Sequence, residues 1–341
     1  MTDITQRKRD HLDLCLTQDV AMDSLAGFES YAFIHQALPE IRRSDVSLET
    51  TFLGHRLKAP ILVSSMTGGP VQGETINRNL AEAAQRLGLP MGLGSQRIAV
   101  ERPEAVASFA VARQAAPDIL LIANLGAVQL NYGYDASHCQ RAVEMAGADA
   151  LYLHLNPLQE AVQPEGDTDF EGLEQKIAEL IRQVDFPVLI KEVGSGISPQ
   201  VAARLAAAGV AAIDVGGAGG TSWSRIEAHR APGSRALGEV FANWGIPTAS
   251  CLVGCRRELP DLPLVASGGI RTGIDAAKAL VLGADLVGLA MPLLAPATRS
   301  ADAVVAVLEQ ILLELKTAMF LLGARDIQTL KRSRHLLIEK S

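Results

Sequence analysis

Short, nearly uninterrupted apolar runs alternate along the chain with longer stretches whose apolar positions recur every three or four residues. The short runs predict strands at 61–65, 90–94, 119–124 and 150–156, then at 187–193, 211–216, 263–267 and 286–290. The segments between them read as amphipathic helices, as in Ile76-Asn-Arg-Asn-Leu80-Ala-Glu-Ala-Ala84. Strands that are apolar throughout and alternate with helices belong to a parallel sheet covered on its outer face. Eight strands and seven crossovers predict an α/β fold of the (β/α)₈ barrel type, for which ~250 residues suffice. The surplus falls in the first 50 residues, in the connection 217–262 and in an amphipathic helix over 303–322. The expected organisation is therefore one barrel domain over 1–341: an extension over 1–50, the barrel over 51–300 and a helical segment over 301–341. No G-x-G-x-x-G follows the first strand, which argues against a doubly wound open sheet. No repeat beyond the β/α unit itself is expected.

Composition narrows the function. The 341 residues carry 31 Lys plus Arg against 38 Asp plus Glu, a net charge of −7, with 48% hydrophobic residues. That excludes a disordered chain and argues against nucleic-acid or anionic-membrane partners, which need a basic surface. Any anionic ligand must be held by a local cluster of donors. Four cysteines make no disulfide framework; Cys251 and Cys255, four apart, read as buried thiols on one helix face. The first residues lack the apolar core of a secretory signal, and no apolar run reaches transmembrane length. A soluble cytoplasmic protein is expected.

In a barrel the site is built at the C-terminal ends of the strands. Here those ends carry Met66-Thr67-Gly68-Gly69, Ser95-Gln96-Arg97, Asn124, His154-Leu-Asn156 with Gln159 and Glu160, Lys191, Thr221, Gly268-Gly269 with Arg271, and Ala290-Met291. Alternation along the fourth strand sends Leu151, Leu153 and Leu155 outward and Tyr152, His154 and Asn156 inward. Lys191 shares a face with Leu189 and must meet an anion there. A pair with Glu192 is not expected, because adjacent strand residues face opposite ways. The glycines of 216–220 and 268–269 suit a backbone cradle for phosphate. The cradle alone does not separate flavin mononucleotide from a sugar phosphate. Arg7-Lys8-Arg9 would ordinarily be a solvated charge run, yet with Arg97 it offers a second cationic group. Glu160 offers a carboxylate to Mg²⁺. Two phosphorylated ligands, a cofactor and a diphosphate substrate, are the reading these features support.

The blocks Arg7-Lys8-x-Asp10-His11-Leu12, Ser65-Met66-Thr67-Gly68-Gly69, Gly92-Leu93-Gly94-Ser95-Gln96-Arg97, His154-Leu-Asn156-Pro157-Leu-Gln159-Glu160 and Ser267-Gly268-Gly269-Ile270-Arg271 closely resemble those of the type 2 isopentenyl-diphosphate delta-isomerases. Ala123 to Ala127, Gln163 to Asp167, Lys191 to Gly194 and Gly219 to Trp223 extend the resemblance almost end to end. Ser224 departs from it, standing where Ala is common. The resemblance implies a flavoenzyme that interconverts isopentenyl and dimethylallyl diphosphate with reduced FMN, NADPH as reductant and Mg²⁺. It implies FMN contacts from Met66, Thr67, Ser95, Asn124, Lys191, Thr221, Gly268, Gly269, Arg271, Ala290 and Met291. Substrate contacts would come from Arg7, Lys8, His11, Arg97 and Gln159. His154, Asn156 and Gln159 would stand at the reaction, with Glu160 on the metal. It further implies a homotetramer or homo-octamer.

Two other readings compete. An FMN-dependent oxidase or dehydrogenase of 2-hydroxy acids would use the same barrel but needs a His and Arg pair after the sixth strand. Arg225, His229 and Arg235 stand nearby, but no such paired motif is evident. A non-catalytic flavin- or phosphate-binding module would have no use for His154, Asn156 and Gln159 facing inward.

Overall fold

The computed structural model describes residues 4–68 and 71–340; Gly69 of the expected loop block lies outside them. All eight predicted strands form. They are β1 (Ile61–Val63), β2 (Met91–Gly92), β3 (Leu121–Gly126), β4 (Ala150–Leu155), β5 (Val188–Glu192), β6 (Ala212–Asp214), β7 (Leu264–Ser267) and β8 (Leu286–Leu289). Each pairs in parallel with its sequence neighbour, and β8 pairs with β1, so the sheet closes. The barrel interior is a cluster of Leu62, Ile122, Ala150, Tyr152, Leu189, Ala212, Val265 and Leu286. Phe52 and Leu57, from the hairpin Thr50–Phe52 and His55–Leu57, join that cluster and plug the N-terminal end. Leu151, Leu153, Ile190, Ile213 and Val287 point the other way, into the layer under the helices. The alternation expected for the fourth strand is therefore the one observed.

β2 is shorter than predicted. The chain leaves the ladder by Gly94, where a Cβ would lie 2.4 Å from the Thr67 carbonyl oxygen. That close approach brings two strand-end loops together at the mouth. The C-terminal helix runs Ala301–Leu321, capped by Ser300, and buries Val304, Leu308, Ile311 and Leu315. The chain's two end segments meet in an antiparallel ladder of Tyr31–Phe33 with Leu337–Glu339. The connection 217–262 folds as three helices, Trp223–Arg230, Arg235–Val240 and Thr248–Glu258. Cys251 and Cys255 are buried on the last of these and free.

Two of the β/α units share a further feature, an arginine latch. Arg113 precedes β3; its Nη1 donates to the carbonyls of Ala116, Pro117 and Ile119, its Nε to Gly147 O and its Nη2 to Asp149. Arg256 precedes β7 and repeats the pattern on Leu259, Pro260, Leu262, Gly283 and Asp285. Asp149 also accepts from Leu121 N, and Asp285 from Leu264 N. The two latches stand four strands apart, one in each half of the barrel, within matching sequences Arg113…Pro117-Asp118 and Arg256…Pro260-Asp261. The sequence shows the shared Arg-x-x-x-Pro-Asp spacing, and the folded contacts show what the arginine does there.

Candidate active site

A cavity of about 270 Å³ opens at the C-terminal ends of the strands. Every residue to which the resemblance gives a role lines it, whereas Gln96 is buried away from it with its amide on Ala142 O. From β1 and its loop come Met66 and Thr67; from the next loops Ser95 and Arg97; from β3 Asn124; from β4 and beyond His154, Asn156, Gln159 and Glu160. Lys191 ends β5, and Thr221, Gly268, Gly269, Arg271, Ala290 and Met291 complete the circuit.

The two glycine loops fold against each other. A Cβ on Gly268 would meet Gly217 O at 2.0 Å, and one on Gly269 would meet Ala26 Cβ and Gly219 O at 2.6 Å; both glycines have positive φ, 104° and 73°. Thr248 Oγ1 donates to Gly268 O at 2.7 Å. A Thr272–Asp275 capping box then starts the helix Gly273–Leu282. This places the backbone of Gly268 and Gly269 on the cavity wall, and such a glycine loop suits a phosphate group.

The N-terminal basic run is not a solvated tail. It lies on the helix Ile4–Thr17, which crosses the mouth, and its positions 4, 7, 8, 11, 12 and 15 face the cavity. Leu12 is buried. Lys8 Nζ donates to Ser95 O at 2.7 Å and sits 5.5 Å from the centre of the Phe109 ring. Burial, reinforced by neighbouring Arg7, pushes its ammonium down to about 7. His11 Nε2 lies 2.8 Å from Glu227 Oε1, and the ring packs edge-on to Trp223. Arg97 reaches the cavity with its guanidinium already engaged, by Asp167 at 2.5 Å and Glu101 at 2.8 Å.

On the β4 side, Asn124 Nδ2 donates to Leu93 O at 2.9 Å, so Oδ1 faces His154 Nδ1 at 2.8 Å. The ring proton therefore sits on Nδ1 and Nε2 is bare. Burial first, then the charges of Lys191 and Lys8, lower His154 to about 3, so it is neutral without ligand. Asn156 Nδ2 donates to Gln159 Oε1 and to Glu160 Oε1, at 3.1 and 2.8 Å. Glu160 Oε2 accepts from Asp167 N at 2.8 Å. Lys191 Nζ donates to Glu192 O, whereas the Glu192 side chain turns outward, as expected. Its Oε2 accepts from the backbone N–H groups of Val193, Gly194, Ser195 and Gly196.

Glu227 escaped the reading of strand ends. It is fully buried behind the mouth and joins three partners: His11, Arg230 at 2.6 Å and Gln159 Nε2 at 3.4 Å. The Gln163 amide, oriented to satisfy both ends, donates to Glu227 Oε1 at 3.3 Å and accepts from Arg7 Nη1 at 3.0 Å. Glu227 lies on a helix of the long connection, so strand periodicity carried no signal for it. Its place four residues after Trp223, on the same helix face, was the available clue.

A closed barrel with a phosphate cradle, a buried lysine and a basic helix over the mouth defines a barrel enzyme built for phosphorylated ligands. In keeping with that, the profile of the FMN-dependent dehydrogenase family matches residues 4–156 and 153–337. An isopentenyl-diphosphate delta-isomerase of Nostoc sp. is 51% identical over 330 residues, 96% of this chain and 94% of that protein. One from Methanothermobacter thermautotrophicus is 46% identical over 330 residues, 97% of this chain and 92% of that protein. The chain belongs to the isopentenyl-diphosphate delta-isomerases, in the FMN-dependent, type 2 branch.

Solved structures share the fold at lower identity. A flavocytochrome b2 variant with pyruvate bound aligns at TM-score 0.69 and 21% identity, covering 96% of this chain and 82% of that one. An (S)-mandelate dehydrogenase variant aligns at 0.69 and 18%, covering 97% and 99%. Of the basic residues noted after β6, none of Arg225, His229 and Arg235 lines the cavity. His229 and Arg235 are exposed, and Arg225 pairs with Asp23 at 2.8 Å. No helix among the described residues is long and apolar enough to cross a membrane.

Proposed function

We propose that this enzyme interconverts isopentenyl diphosphate and dimethylallyl diphosphate, with reduced FMN in the cradle, NADPH as the reductant and Mg²⁺ on the diphosphate. The observation that carries the reading is convergence. The glycine cradle and the basic helix face one cavity, with His154, Asn156 and Gln159 between them.

The residues present fit each group. The cradle that a Cβ would fill, together with Lys191, Asn124 and Arg271, suits FMN. Glu160 offers one carboxylate. Among the described residues no group of three His, Cys, Asp or Glu side chains gathers as a metal cage. Mg²⁺ commonly takes one or two carboxylates together with phosphate oxygens and water, and Glu160 is the carboxylate that would serve it. An isolated alkene is a weak base with no carbonyl to delocalise charge, so side-chain acids are poorly matched to it. Reduced FMN, when bound, supplies the acid and base chemistry that no side chain here provides.

The chain's own residues then bind and orient. Arg7, Lys8 and His11 hold the diphosphate, and its binding energy positions the remote hydrocarbon. Ile4, Leu12, Met66 and Leu294 line the cavity with apolar surface and exclude water. Gln159 is fixed at both ends of its amide, by Asn156 and by Glu227. Neutral His154 presents Nε2 as an acceptor until a phosphate oxygen draws a proton onto it.

Incubation with FMN, a reductant, Mg²⁺ and isopentenyl diphosphate should yield dimethylallyl diphosphate. No product under reducing conditions, together with turnover of a 2-hydroxy acid, would replace this reading with the oxidase.

A further inference from the structure

The β5–β6 register places Lys191 directly across from Asp214. Both belong to the interior face, since Leu189 and Ala212, two residues earlier on each strand, lie in the barrel-interior cluster. Lys191 lines the cavity and Asp214 does not, so Asp214 sits one layer beneath the floor. It is 0% exposed. Ser267 Oγ and Gly216 N both donate to Oδ1, at 2.5 and 3.2 Å. Oδ2 has no hydrogen-bond partner among the described residues, and neither has the Tyr152 hydroxyl. The other nearby carboxylate, Glu192, is spent on four backbone N–H groups of its loop. A buried ammonium needs a compensating charge, and Asp214, its register partner though not in direct contact with Nζ, is the interior carboxylate left to supply it. Burial raises the Asp214 carboxyl, and Lys191, Ser267 and Gly216 N oppose that rise. The other titratable groups of this layer are His154, the register partner of Lys191 on β4 and also under the charge of Lys8, and Tyr152, which lies near Asp214.

We propose that Asp214 is a positioning residue for the cofactor: as the counter-ion of Lys191, it keeps that side chain an ammonium and so sets the protonation of the reduced flavin. The second half rests on the reading that FMN occupies the Lys191 side of the cavity. The two carboxylates stand differently toward Lys191: burial lowers its ammonium, and of the groups that oppose this Asp214 acts more strongly than Glu192.

The sign of one measurement decides. Removing a negative charge near the flavin would, by itself, favour the reduced anion. Removing the group that keeps Lys191 charged disfavours it. In Asp214→Asn holoenzyme we expect the neutral-to-anionic transition of reduced FMN, followed by absorbance, to move up by at least one pH unit. FMN affinity should weaken about tenfold. Lys191→Gln should do the same, and the double variant no more than Lys191→Gln alone. An unchanged or lowered transition in Asp214→Asn, or shifts that add, overturns the proposal. Should Asp214→Asn fail to fold, thermal unfolding of the FMN-free double variant decides. Recovery of the fold supports the charge pair; failure equal to that of the single variant overturns it. Wild-type protein that takes up no FMN would instead overturn the cofactor reading itself, while FMN-free unfolding still tests the pair.

Discussion

Lys8 carries a consequence that can be measured at one residue. Its ammonium titrates near 7 in the ligand-free protein because the helix holds it under cover against Ser95 O and Phe109. A bound diphosphate raises that value, since an anion favours the charged form. Affinity for inorganic pyrophosphate should therefore fall as pH rises from 7 to 9, with proton uptake on binding. Calorimetry in two buffers of different ionisation enthalpy reads this directly; a flat profile with no uptake would remove Lys8 from the anion site. The same shift has a stability sign. The folded value lies below the unfolded 10.5, so between about 7 and 10.5 the unfolded chain binds more protons, and this group's contribution to stability rises with pH. Gln159, held by Asn156 and Glu227, serves the reaction rather than the cofactor. Gln159→Ala should cut turnover at least tenfold while FMN affinity stays within about twofold, measured by product formation and by flavin fluorescence titration.

At the scale of elements, the two arginine latches show what the shared Arg-x-x-x-Pro-Asp spacing does. Each ties the turn before a strand to the start of the next strand, and Asp285 also takes Lys331 from the helix Ile327–Arg332. Truncating either arginine strands at least three carbonyls and a carboxylate in partly buried surroundings. Arg113→Ala and Arg256→Ala should each cost about 2–4 kcal/mol in chemical denaturation. The double variant should cost their sum, because the latches share no partner. A loss below ~0.5 kcal/mol in both would mean that water replaces the guanidinium at no cost. The eight strands themselves were legible because burial on both faces imposes apolar runs that need no knowledge of partners. β2 ended early because loop packing at Gly94, a tertiary contact, took the chain out of the ladder.

For the whole molecule, the cavity is assembled from opposite ends of the sequence. The cradle comes from β6 to β8, whereas the diphosphate cations come from a helix that precedes the barrel. The two functions should therefore separate. Deletion of residues 1–17 should leave FMN uptake within a few-fold of the full chain and abolish pyrophosphate binding, both read by titration. Loss of FMN binding to the same degree would mean that the helix helps shape the cradle.

Local periodicity and residue chemistry determined the strand count, the barrel, the inward face of β4 and the circuit of polar strand ends, because each depends on neighbours two to four residues away. Tertiary structure alone decided that Glu227 gathers His11, Gln159 and Arg230, that Arg97 pairs with Asp167 at the cavity, and that Asp214 stands under Lys191. Those pairs are brought together only when the ring of strands closes, and a closed ring is a property of the register between strands that no single segment contains.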